Sequence, residues 1–160
     1  MSFALNIKTF YMKRQTFLTI ASMIALIVGV TATFFPSLLL VSKGVFPDDG
    51  VKVWMTEVGI LLIVLGVINF LIRKHPSSPT LFVLFLGNVL IQLGLLTVEV
   101  LAFARGTITE ISGVIPNGIV HVVLAMGFTY YIFRMVSNEN PQGVSLKVNH
   151  SPIYVRQEEK

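Results

Sequence analysis

Residues 81–104 read LFVLFLGNVLIQLGLLTVEVLAFA, an apolar run interrupted by Asn88, Gln92, Thr97 and Glu99. At about 1.5 Å per residue the run covers roughly 36 Å as a helix, and a span needs only about 20 residues to cross about 30 Å of hydrocarbon. With Asn88 at zero on the helical wheel, Gln92 falls at about 40° and Glu99 at about 20°, so the three form one narrow stripe about 16 Å long. An ionisable group at membrane depth costs on the order of 2.5–3.5 kcal/mol and faces the protein interior, a partner or a wet cavity. The stripe is therefore predicted to face the inside of a helical bundle.

Composition extends that reading to the whole chain. Of 160 residues, 54% are hydrophobic and 12% charged, with a mean hydropathy of +0.78, whereas soluble domains carry roughly 25% charged residues. This excludes a soluble globule, and the length suits one domain with no large extramembrane part. There is no cysteine, which excludes disulfides, thiolate metal sites and Cys nucleophiles. The isoelectric point of about 9.6 raises the question of nucleic acid. The Lys and Arg residues are scattered through tails and loops, however, and form no basic patch with interleaved aromatics, so no nucleic-acid partner is expected.

Apolar runs over 16–41, 53–72, 81–104 and 114–135 predict an all-α, integral membrane four-helix bundle. It is flanked by an N-terminal segment (1–15) and a C-terminal tail (136–160). The breaks carry turn and charge chemistry, including Pro47-Asp48-Asp49-Gly50 and Arg73 to Pro79. They are short, so successive helices should run antiparallel, up and down. Lys8, Lys13, Arg14, Arg73, Lys74, Arg134, Lys147, Arg156 and Lys160 stand on one side against Lys43, Lys52 and Arg105 on the other. That asymmetry predicts a cytoplasmic-membrane protein with both termini inside. Phe10, Tyr11, Trp54, Tyr130, Tyr131 and Phe133 fall near the expected headgroup levels. The first run continues past Val30-Thr31-Ala32, too far for a signal-peptide core, and reads as an uncleaved helix. In the tail, alternation over 144–148 and 153–155 suggests a pair of short strands. No internal repeat is evident, which weakens a repeat-built transporter reading.

Helical spacing places the remaining polar residues. Asn117 and His121 are an i, i+4 pair on the fourth helix, and Leu124, Phe128 and Tyr131 continue their face. On the second helix Glu57 shares a side with Leu61, Val64 and Ile68, while Gly59 and Gly66 lie opposite on a close-packing face. Ser22, Ala25, Gly29 and Thr33 fall within about 80° of one another on the first helix. Pro36 extends that face where it can kink the chain, and Gly87 and Gly94 repeat the seven-residue glycine spacing for helix contact. By depth, Glu57, Glu99, Asn117 and His121 belong to the outer half of the bundle, with Gln92 as the floor of a ligand-binding pocket. Asn88 and Asn69 lie nearer the cytoplasmic side as structural polar residues. The plain alternative is structural, a Glu99–His121 hydrogen bond and similar cross-helix bonds worth about 0.6 kcal/mol each. No residue has the spacing of a metalloenzyme site such as His-Glu-x-x-His, and no nucleophile or cofactor motif accompanies the carboxylates. Catalytic and metal-binding residues are therefore not assigned, and the cofactor is left unknown.

The stretch EVGILLIVLGVINFL (57–71), Gly87-Asn88 and His121 in the last of four spans resemble small bacterial DoxX-like membrane proteins, over roughly residues 16–135. The resemblance implies a four-helix protein with an apolar ligand or an accessory role beside quinone-linked redox complexes. It carries no residue-level assignment. The expected function is binding of an amphipathic or lipid-like small molecule in the outer-half pocket, with membrane lipid as partner and a homo-oligomer or larger membrane complex as its setting. The alternatives are an accessory subunit of a membrane complex and a small proton-linked transporter.

Overall fold

The computed structural model describes residues 12–138, which form five helices and no strand: α1 (Arg14–Phe34), α2 (Pro36–Ser42), α3 (Asp49–Ile72), α4 (Pro79–Ala104) and α5 (Ile111–Asn138). The segments read as a strand pair, 144–148 and 153–155, lie outside the described residues. Four of the helices, α1, α3, α4 and α5, are long and apolar enough to cross a membrane, and at most 33% of the apolar stretch of each is buried. Large side chains such as Ile27, Trp54, Leu61, Leu90 and Met126 point outward. Helices that are apolar on the outside as well as the inside belong in lipid, so this is a multi-pass membrane protein.

The first run, expected as one helix over 16–41, is two. The break falls at Phe35, whose φ of −133° and ψ of 52° leave the helical region. Its cause is Pro36, which lacks an N–H and disfavours helical geometry in the residue before it, yet is well suited to the first position of α2. The other starts are written locally. Asp48 caps α3 by accepting from the Val51 N–H at 2.9 Å, and Ser78 caps α4 by accepting from the Leu81 N–H at 3.2 Å, one residue before Pro79.

Two tight helix pairs make the bundle, α1 on α3 and α4 on α5, with sparse helix contact between the pairs. The first pair rests on missing side chains. A Cβ on Gly29 would lie 2.8 Å from the Ile63 backbone nitrogen, and one on Gly59 would lie 2.6 Å from that of Thr33. Only glycine lets the backbones approach this closely. The hydroxyls on the α1 face turn back onto their own helix, Ser22 onto the Leu18 carbonyl and Thr33 onto that of Gly29, so they place no unpaired polar group in the contact. Gly87 and Gly94, expected to mark a helix contact on α4, have nothing within 4 Å of a built Cβ. The face of α4 that packs is the polar one.

Both ends of the bundle are tied across the pairs. At the end carrying Arg14, that side chain donates to Ser77 and to the His75 carbonyl, and the Tyr131 hydroxyl donates to the Met12 carbonyl at 2.6 Å. Below them Phe17, Phe85 and Phe128 stack edge to face, with ring centres 4.9 and 5.5 Å apart. Tyr131 is buried in this cluster with Leu124 and Phe128, the face it was expected to continue, while Tyr130 and Phe133 stay exposed. At the opposite end the Lys43 carbonyl accepts from the backbone N–H groups of Thr109 and Glu110 at 3.1 and 3.2 Å. Between the two ties the pairs diverge around a central cavity.

Candidate functional site

The α4 stripe faces inward. Asn88, Gln92 and Glu99 are all buried, at 3%, 6% and 5% exposure, and all three line a cavity of about 330 Å³ between the helix pairs. Its remaining wall is largely apolar, with Ala21, Val28, Leu62, Leu95 and Leu124 among the lining side chains. A continuous chain of polar contacts runs along one side. The Glu99 carboxylate pairs with the Lys43 ammonium and accepts from Asn117 Nδ2 at 3.0 Å on each oxygen. Asn117 Nδ2 also lies 3.2 Å from His121 Nε2, and His121 Nδ1 lies 2.6 Å from Gln92 Oε1.

Four of the five side chains expected to bind ligand thus come together: Glu99, Asn117, His121 and Gln92. The Glu99–His121 hydrogen bond of the structural alternative is not formed; Asn117 touches both side chains and bridges them. Glu57, the fifth, is not brought to the cluster. It is exposed and absent from the cavity wall, because the glycines that seat α3 on α1 lie on the opposite face and turn the carboxyl outward. Asn69 and Asn88 form a reciprocal amide pair between α3 and α4, at 2.9 and 3.2 Å, and Asn88 also donates to the Leu84 carbonyl. Both are buried and fully engaged with protein on their oxygens.

Lys43 is the residue that spacing alone did not identify. It read as a loop charge on one side of the topology count, yet its side chain is only 18% exposed and is paired with a carboxylate 56 positions away. Its placement is built locally. The Pro36 break redirects α2 so that Leu40 is buried. Gly44 then takes a φ of +69° that other residues rarely adopt, and its carbonyl accepts from the Thr109 hydroxyl at 3.2 Å. Gly113 lies so close to Ser42 and Lys43 that no side chain fits there. The available signal was the proline followed by Lys-Gly at the end of an apolar run. Partial burial pulls the Lys43 ammonium below the ordinary lysine value, a desolvation cost that the neighbouring carboxylate offsets.

Chemically the arrangement is a compensated ion pair extended by neutral hydrogen-bonding groups into an apolar space. Among the described residues no three His, Asp or Glu side chains gather closely enough to hold a metal ion. The polar chain does not run through the bundle. Beyond Asn69 and Asn88, toward the Arg14 end, lie Leu81, Phe85 and Phe128, all buried. No protein-family model, curated protein or solved structure matches this chain.

Proposed function

We propose that this chain is a cytoplasmic-membrane protein that binds an amphipathic or lipid-like small molecule in the central cavity. The observation that carries the reading is the cavity itself: about 330 Å³ with apolar walls and one hydrogen-bonding side, within the range of roughly 300–1,000 Å³ typical of small-molecule sites. A groove of about 800 Å³ between α1 and α5 shares Ile24, Val120 and Leu124 with the cavity, which supports entry from the lipid phase. Mass spectrometry of the protein gently extracted from its membrane tests this. A reproducible co-purifying amphiphile is expected, and a protein that flies bare under conditions preserving lipid on other membrane proteins contradicts it.

The same proposal includes an up-down antiparallel topology with both termini in the cytoplasm. It is supported by the Arg14 contacts with the α3–α4 loop and by the clustering of Lys and Arg on that side of the sequence. The DoxX-like resemblance belongs to it as well, supported by four spans with His121 in the last. One observation favours a second reading, an accessory subunit: Glu57 stands exposed on α3, one turn from the exposed Trp54, where a partner helix would satisfy it. A stoichiometric second polypeptide in the same mass spectra, lost on Glu57→Leu, is the result that reading requires. The aromatic seal at the Arg14 end speaks for a pocket rather than a proton path.

A further inference from the structure

Gln92 is the one polar side chain that is more than nine-tenths buried and has an atom without a hydrogen-bond partner among the described residues. Its Oε1 receives His121 Nδ1 at 2.6 Å, while its Nε2 meets no protein acceptor. Among the described residues no fully inaccessible side-chain polar atom is unpaired, so Nε2 keeps accessible surface, and Gln92 lines the cavity.

Which end of the carboxamide faces the cavity is set at a distance. The Glu99 carboxylate, ionised by its pairing with Lys43, only accepts, so Asn117 must turn its amino group toward it. The same amino group then approaches His121 Nε2, which must accept. The histidine is therefore neutral with its proton on Nδ1, and that N–H requires the oxygen of Gln92. The amino group is left for the cavity. Four contacts thus convert an ion pair at one end of the bundle into a fixed hydrogen-bond donor at mid-depth.

We infer that Gln92 Nε2 is the recognition donor of the cavity, and that its ligand is a neutral amphiphile whose head carries a hydrogen-bond acceptor such as a carbonyl oxygen. This rests on the binding function proposed above and specifies its chemistry. The charges of the site cancel between Lys43 and Glu99, so a charged head beside Gln92 would be desolvated without a counter-charge. A neutral acceptor satisfies the buried N–H at no such cost.

The test is a titration of the purified protein, read by native mass spectrometry, with four probes of matched chain: methyl octyl ketone, decane, decanoate and decylammonium. The ketone is expected to bind wild type about tenfold more tightly than decane, the worth of one buried hydrogen bond, and more tightly than either ion. Gln92→Leu should bind the ketone and decane alike. Gln92→Met, close in size and with no donor, should also lose the preference even if the leucine variant misfolds. If no probe binds wild type, the binding function itself fails. Equal binding of ketone and decane, preference for an ion, or a ketone preference surviving in Gln92→Met overturns the role of Gln92 and leaves the binding function standing. Nitrogen NMR of His121 gives an independent reading, since a proton on Nε2 would break the chain of orientations.

Discussion

Replacing Glu99 by Gln leaves Lys43, whose side chain is 18% exposed, without its counter-charge and leaves Asn117 one oxygen in place of the two it donates to there. Breaking one side of a fully dry ion pair costs about 3–5 kcal/mol, whereas replacing both sides is often close to neutral. With Lys43 partly solvated, Glu99→Gln is expected to lower stability by roughly 2–3 kcal/mol in detergent unfolding, and Lys43→Met combined with it to recover most of that loss. Additive losses in the double variant would mean that the two residues act separately. The Asn69–Asn88 pair is a milder case. Its double-mutant coupling energy should fall near 0.6 kcal/mol and not above about 1.7, the span measured for hydrogen bonds between membrane helices. A value above about 3 kcal/mol would make this pair, rather than the ion pair, the main polar tie of the bundle.

The helices differ in what a glycine means. Gly59→Ala would set a methyl group 2.6 Å from the Thr33 backbone nitrogen and 2.8 Å from the Gly29 oxygen. Backbone cannot yield as a side-chain tip can, so a loss of about 1–3 kcal/mol is expected. Gly94→Ala meets nothing within 4 Å and should be neutral, or stabilising by up to about 1 kcal/mol through helix propensity, if that face meets only lipid. Loss of an oligomer in Gly94→Ala, seen by size-exclusion chromatography with light scattering, would show that the face is a contact between copies. Four spans were legible in the sequence as long apolar runs, and the inward stripe of α4 and the small-residue face of α1 as local patterns of period 3.6. The split at Phe35 was legible only as a kink, since a proline constrains the preceding residue without saying whether a new helix follows. Gly59 and Gly94 share one spacing signature and have opposite environments, which only the pairing of helices distinguishes.

At the scale of the whole molecule, two helix pairs joined at both ends leave a cavity between them, and this arrangement was the least legible part. The Lys43–Glu99 contact joins residues 56 positions apart and depends on the direction of a seven-residue helix. The outward turn of Glu57 depends on Gly59 and Gly66 setting the opposite face of α3 against α1. Orientation in the membrane is testable because the chain has no native cysteine. His75→Cys and Thr107→Cys, both at exposed loop positions, should label oppositely with an impermeant maleimide in intact cells. Thr107→Cys is expected to react and His75→Cys to be protected, and the reverse pattern would invert the proposed topology. The most direct test of the account is to fill the cavity without touching its polar chain. Ala25 lines it, and Ala25→Phe, checked for folding by thermal unfolding, should be isolated without the amphiphile that wild type retains in native mass spectra. Retention of the same amphiphile at the same occupancy in folded Ala25→Phe protein would contradict the claim that the cavity is where this protein binds its ligand.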